Sequence, residues 1–410
     1  MLQVIYIFVC IISIIRYFNR KFDLLTIAVL SYIFYTLSCV IGETWITKAG
    51  GYYYYANIDV KTYICVFIQL IIINFFPCVI KEKKKHFTSS ELIWRKKIGG
   101  KTEFEIIFVI SVSVFLYNLI FVVGLDQFFS LTSKSDIMSS VSGIFSYSIW
   151  GILISFTYGI LSKRRWIIFI SSCMLFLMLI MGSRSYFVIA VLILLLTNSE
   201  ALRKTVSENW KKIIILIILM FILLVYKEVY RYIRALDFES VISTLENYRT
   251  YLTVFTNDET RTTFSLYNYV IEKNYTLSLV DSLVRILSFI PFINNVFPTS
   301  LPIRFSSIAK NNIFGSTYGL GSSFWGESFA MGGFIFLIVV TCIWIGIIKK
   351  YNNRIAMTNK TAPFWSVFMV YFTFYIHRLD WVQMWGALKS IIVWYIIFRI
   401  LKELLKRRYT

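Results

Sequence analysis

The sequence predicts an all-α polytopic membrane protein with about 11 transmembrane helices and one large extracytoplasmic loop that contains short helices. Three observations predict it. Hydrophobic residues make up 58% of the chain against 16% charged, and the mean hydropathy is +0.69, outside the range of soluble domains. Eleven apolar runs approach or exceed the length needed to cross a bilayer core of about 30 Å at about 1.5 Å per helical residue. The Lys and Arg residues between those runs gather in alternate loops, as cytoplasmic loops require.

In order, the runs cover roughly 2–17, 24–42, 60–80, 106–124, 143–162, 166–182, 186–198, 213–226, 332–348, 364–380 and 386–401. The first has no positive residue before it and no small-residue cleavage site, so it reads as a retained span and not as a signal peptide. Arg16, Arg20 and Lys21 follow it, which places the N-terminus outside. Alternation then puts the run Lys81 to Lys101, Lys163 to Arg165, Arg203 to Lys212, Lys349 to Lys360 and the tail from Arg399 to Arg408 on the cytoplasmic side. The C-terminus is thereby inside and residues 227–331 outside, all within a single integral membrane domain of residues 1–410.

These totals exclude several functions. A net charge of +20 in a soluble chain would suggest nucleic acid, but no groove-reading module accompanies it, and basic loops of membrane proteins are anchors. The six cysteines all fall in or beside apolar runs without a CxxC pair, and there are only two histidines, His86 and His377, so no metal site or cofactor is expected. Between residues 106 and 226 no carboxylate sits at mid-depth, and no internal repeat is evident. Both features argue against ion-coupled transport.

Chemistry is expected in residues 227–331, the one long polar segment. Phe238 to Tyr248 reads as an amphipathic helix. A second apolar stripe runs through Leu277, Val280, Leu283, Val284, Leu287 and Ile290, with Asp281 and Arg285 on the other face. Arg231 and Arg234, three apart, share a helix face if the preceding span continues upward, and two guanidinium forks there suit a phosphate or pyrophosphate. They could equally pair with Asp237, Glu239 or lipid phosphate. Glycines 315, 319, 321, 326, 332 and 333 bracket Tyr318, Trp325 and Glu327, so the chain bends sharply and packs closely there. Glu327 would sit near the positive end of the following helix, where a carboxylate gains about 0.3 to 1 kcal/mol. Earlier in the chain, Arg184 lies in the tight outer turn Gly182-Ser183-Arg184-Ser185, as a ligand-binding residue or as an interfacial anchor.

That turn, together with a large outer loop closing in a Gly/Tyr-rich stretch, Gly326-Glu327 and Gly332-Gly333, resembles the bacterial O-antigen and capsule repeat-unit polymerases of the Wzy type. Arg304 and Gly315, with ten residues between them, match a further motif of that family. The resemblance implies a multispan glycosyltransferase in the bacterial cytoplasmic membrane, acting on its outer face. It would join undecaprenyl-pyrophosphate-linked oligosaccharide units into polysaccharide, with membrane lipids around it and flippase and chain-length regulator proteins as partners. The related O-antigen ligases carry a histidine in the large outer loop; none lies between 227 and 331. On this reading Arg184, Arg231, Arg234, Arg249, Arg261, Arg304 and Tyr318 bind substrate. Glu327, with His377 and Asp380 behind it, activates the acceptor hydroxyl. A lipid-linked oligosaccharide flippase, using the same cations as a grip, is the alternative.

Overall fold

Helix dominates the computed structural model, and each of the eleven apolar runs carries one. The structure describes residues 1–18, 22–47, 53–80, 101–130, 137, 140–201, 206–248, 259–290, 303–315, 321–352 and 361–407. Among the described residues, Val60–Val79, Lys101–Val123, Gly143–Ser162, Phe324–Asn352 and Trp381–Lys406 are long and apolar enough to cross a membrane. Leu2–Tyr17, Leu24–Tyr35, Arg165–Ile180 and Arg184–Thr197 are equally apolar but shorter. At about 1.5 Å per residue they reach about 18 to 24 Å. The protein is membrane-embedded and helical; the basic run 81–100 lies outside the described residues.

The chain divides into two compact units. The first takes Met1–Lys83, Thr256–Asn353 and Tyr371–Lys389; the second takes Lys84–Phe255, Arg354–Val370 and Ser390–Thr410. The long polar segment 227–331 contributes to both.

In the first unit, helix starts are fixed by aspartates. Asp23 accepts from Thr26 N–H and Asp59 from Lys61 N–H, satisfying donors that a helix start leaves open. Asp23 also accepts from Asn352 Nδ2 at 2.7 Å, while Asn352 Oδ1 accepts from Leu24 N–H, so the last turn of one span clasps the first turn of another. Two features depart from the sequence-based expectation. Strands Glu43–Thr47 and Tyr53–Asn57 form an antiparallel hairpin. The helix Glu259–Glu272, part of the expected outer loop, is core: Phe264, Leu266, Tyr267, Val270 and Ile271 are buried, and so are Thr260, Thr263, Ser265 and Asn268. Asn268 and Tyr267 find partners across the unit. Asn268 Oδ1 accepts from Asp59 N–H, and Tyr267 OH donates to Gln69 Oε1 at 2.7 Å. The same Gln69 oxygen accepts from Tyr32 OH at 2.9 Å, and Gln69 Nε2 donates to Thr341 Oγ1.

Two glycines in the Gly-rich stretch do what their density suggested. A Cβ on Gly326 would stand 3.3 Å from Tyr267 Cα, so the missing side chain lets the Glu259–Glu272 and Phe324–Asn352 backbones approach. Gly333, at φ 64°, takes a conformation open mainly to glycine and kinks the long helix.

In the second unit, helices Lys101–Tyr117 and Gly143–Ser162 pack closely at Gly151, where an added Cβ would strike Ser111 and Trp394. Phe104 stacks on Tyr158 with ring centroids 4.2 Å apart, and Trp394 Nε1 donates to Tyr147 O. Helix Val206–Arg234 runs well past the expected end of its span at residue 226, and helix Phe238–Glu246 follows with Asp237 as its cap.

Candidate functional site

The second unit brings together three of the expected substrate-binding arginines. Helix Arg165–Ile180 ends at Gly182 in a left-handed turn (φ 86°), with Ser183 N–H donating to Met178 O, and helix Arg184–Ala201 begins at once. A Cβ on Gly182 would lie 2.6 Å from the Tyr230 ring, so the turn is pressed against the helix that carries Arg231 and Arg234. Tyr226 OH donates to Leu179 O at 3.0 Å, fixing the same approach. Tyr226 consequently lies within electrostatic reach of both Arg184 and Arg234, and Arg234 within reach of Arg231. Arg231 is exposed and Arg184 half-buried; Arg234 is only 1% exposed, with its Nε donating to Ser130 O at 3.1 Å. Asp237, an expected partner for these arginines, uses its carboxylate on Ser240, accepting from the backbone N–H and from Oγ at 2.6 Å. Those two donors hold its carboxyl below the usual range.

The first unit gathers Glu327, Asp380, His377 and Arg304. Glu327 is fully buried, and both its oxygens are engaged: Oε1 pairs with Arg285 Nη1 at 2.5 Å, and Oε2 accepts from Trp381 N–H at 2.8 Å. It therefore serves the start of the Trp381–Arg407 helix and not the start of its own. Asp380 caps that same helix, Oδ1 accepting from Gln383 N–H at 2.7 Å, while Oδ2 is buried without a hydrogen-bond partner. Phe305 N–H approaches the carboxylate without a bond of normal geometry, and Arg304 and Arg285 act on it through space. His377 has both ring nitrogens in use: Nδ1 accepts from Trp325 Nε1 at 2.9 Å, and Nε2 faces Ser31 Oγ at 3.0 Å. An indole N–H only donates, so His377 is the neutral tautomer with its proton on Nε2. Of the three expected proton acceptors, only Asp380 keeps an oxygen without a partner.

Arg261 lies on the Glu259–Glu272 helix, where its backbone oxygen accepts from Thr44 Oγ1. Arg249 and Tyr318 fall outside the described residues. Arg285, expected on the face opposite the apolar stripe of its helix, is a buried residue of this site. The structure rotates that face: Arg285 is 2% exposed and buried beside Val284, whereas Val280 and Leu283 of the apolar stripe are 54% and 48% exposed. A buried Glu327 requires a counter-charge inside, and Arg285 supplies it.

Comparison with protein-family models, with curated proteins and with solved structures gives no match to this chain.

Proposed function

We propose that the protein is a polysaccharide repeat-unit polymerase, a membrane glycosyltransferase that moves a growing glycan from undecaprenyl pyrophosphate onto a lipid-linked repeat unit. The observation that carries this reading is the convergence of Arg184, Arg231 and Arg234 beside Tyr226 and Tyr230 at the ends of apolar helices. In the transfer, the bond from sugar C1 to the pyrophosphate oxygen breaks and the acceptor hydroxyl oxygen takes its place on C1. The acceptor's proton passes to a base, and the electron pair leaves with the lipid pyrophosphate. Charge grows on a group already anionic, and guanidinium groups aimed at it stabilise it. Tyrosine rings beside them suit the apolar faces and polar rims of sugars.

The test is a bacterial strain making the polymer with Arg184→Ala or Arg231→Ala in place of the native chain. Long polymer is expected to vanish while single lipid-linked units still reach the outer face. Units retained inside would instead make the protein a flippase, and normal chain lengths would remove the arginines from the reaction.

A further inference from the structure

We infer that helix Leu279–Leu287 is seated in the margin of the bilayer, with its exposed apolar side chains among phospholipid acyl chains, although it belongs to the long polar segment. Its orientation is the first support. Ser282, Arg285 and Ser288, spaced three apart, are buried, while Leu279, Val280 and Leu283 are exposed. Val284 is the one apolar side chain of the helix turned fully inward; Ile286 and Leu287 are half-buried. The inward groups are held by protein: Ser282 Oγ donates to Ser278 O, Ser288 Oγ donates to Arg285 O, and the Arg285 guanidinium binds Glu327 and Ile303 O. Exposed Phe289 and Ile290 extend the apolar surface past the helix end, and exposed Ile303 adjoins it through its bond to Arg285. A helix bathed in water turns such a stripe to the core, so a run of outward apolar side chains marks a surface that something apolar covers.

Depth decides what covers it. Leu277 N–H donates to Ala330 O at 2.8 Å, and Arg285 grips Glu327, so the helix is fastened to the first two turns of Phe324–Asn352, one of the helices long and apolar enough to cross a membrane. From Ala330 to the basic pair Lys349 and Lys350 the helix rises at most about 28 Å at about 1.5 Å per residue, close to a hydrocarbon core of about 30 Å. With the basic pair at one face of that core, Ala330 stands at the other and Glu327 just beyond it. Phe289 packs on Trp385, ring centroids 5.4 Å apart, one turn into the span that starts at Trp381, and tryptophan at a span end marks the same level. The polar groups fit a headgroup boundary: Ser278 and Asp281 close the helix start on each other, and Arg304 is exposed beside Ile303. Ile335, a little further along the span than Ala330, is exposed, so the apolar face of the short helix continues the lipid-facing surface of the span that holds it. Every residue used lies in the first unit, and none belongs to the arginine cluster behind the proposed function.

The experiment places a nitroxide on the full-length protein in phosphatidylcholine discs and measures its collisions with dissolved oxygen, which concentrates in acyl chains, and with a water-soluble nickel chelate. Exposed Cys78 and Cys173 and half-buried Cys342 are first replaced by serine. Labels then go to Leu279→Cys and Leu283→Cys, with Lys273→Cys in the exposed turn before the helix as the water reference and Ile335→Cys as the lipid reference. Both test positions are exposed, so the substitutions disturb no packing and each checks the other. Oxygen is expected to dominate at both, as at Ile335, with a depth of about 5 to 10 Å below the phosphates. Nickel dominating at either position, as at Lys273, would make the helix a water-facing loop element. An immobilised label reached by neither reagent would mean that a second copy of the chain covers it. Either result overturns the inference.

Discussion

Arg285 Nη1 lies 2.5 Å from Glu327 Oε1, and Arg285 Nη2 donates to Ile303 O at 2.7 Å, with neither side chain reaching solvent. Through this pair the short helix Leu279–Leu287 holds the start of one membrane helix, and Glu327 in turn holds the start of another at Trp381. Removing one partner leaves the other as a lone buried charge. Arg285→Ala should therefore cost about 3 to 5 kcal/mol. Replacing both residues, Arg285→Met with Glu327→Leu, should recover much of that loss, leaving the unpaired Trp381 N–H at about 1 to 3 kcal/mol. Thermal unfolding in detergent checks both, and a single variant as stable as the double would contradict the pairing.

Asp380 and Glu327 should separate by role in the same assay. Asp380→Asn retains a side-chain oxygen for Gln383 N–H, and asparagine caps a helix about as well as aspartate, so stability should change by less than about 1 kcal/mol. Glu327→Gln strands the Arg285 charge and should cost several times more. Equal losses would mean that Asp380 carries a structural charge that its open Oδ2 does not reveal.

Gln69 joins four elements through three hydrogen bonds in an apolar interior. Gln69→Leu leaves the Tyr267 hydroxyl unpaired and Tyr32 OH with only a long contact to Val66 O at 3.5 Å, and should cost about 1 to 3 kcal/mol for the Tyr267 hydroxyl and less for Tyr32. Adding Tyr32→Phe and Tyr267→Phe should restore part of the stability. A triple variant weaker than Gln69→Leu alone would show that the hydroxyls are satisfied elsewhere.

Gly182→Ala forces a left-handed residue, at a cost of about 1 to 2 kcal/mol, and drives a methyl into the Tyr230 ring. The displaced helix carries Arg231 and Arg234. Polymer chain length in cells is expected to fall sharply while the protein still inserts and accumulates; full-length polymer would separate the turn from function.

Asp237 gives a pH dependence of defined sign. Its carboxyl is held below its ordinary value near 3.8 by the Ser240 donors. The stability it contributes is thus fully present above that value and lost as pH falls through the lower folded value. The protection of Phe238–Glu246 amides, their exchange rate relative to the intrinsic rate at each pH, should fall on acidification below about pH 4 in the native chain. In Asp237→Ala it should be low and independent of pH across that range.

Much of the fold was legible in one dimension. A membrane helix announces itself by an unbroken apolar run, because every backbone polar group must be satisfied within the segment, and all eleven runs are helical. The Gly182 turn and the extension of the Val206–Arg234 helix were also readable from residue type and spacing. The Glu259–Glu272 helix was not. Its buried Thr260, Thr263, Ser265 and Asn268 interrupt any apolar run, and the partners of such a helix, Asp59 N–H for Asn268 and Gln69 for Tyr267, come from distant parts of the chain.

Sequence by itself determined that the protein belongs to a membrane, that its apolar runs are helices, and that cations crowd residues 227–331. Local composition suffices for each, because transfer to lipid and helix geometry are properties of contiguous residues. Which arginines meet was decided only in three dimensions. Arg184 joins Arg231 and Arg234 because a glycine turn seats against Tyr230, and Arg285 turns inward because Glu327, 42 residues away in the chain, is buried and needs a counter-charge. Such choices depend on long-range packing and on the cost of an unpaired charge, and no stretch of sequence carries them alone.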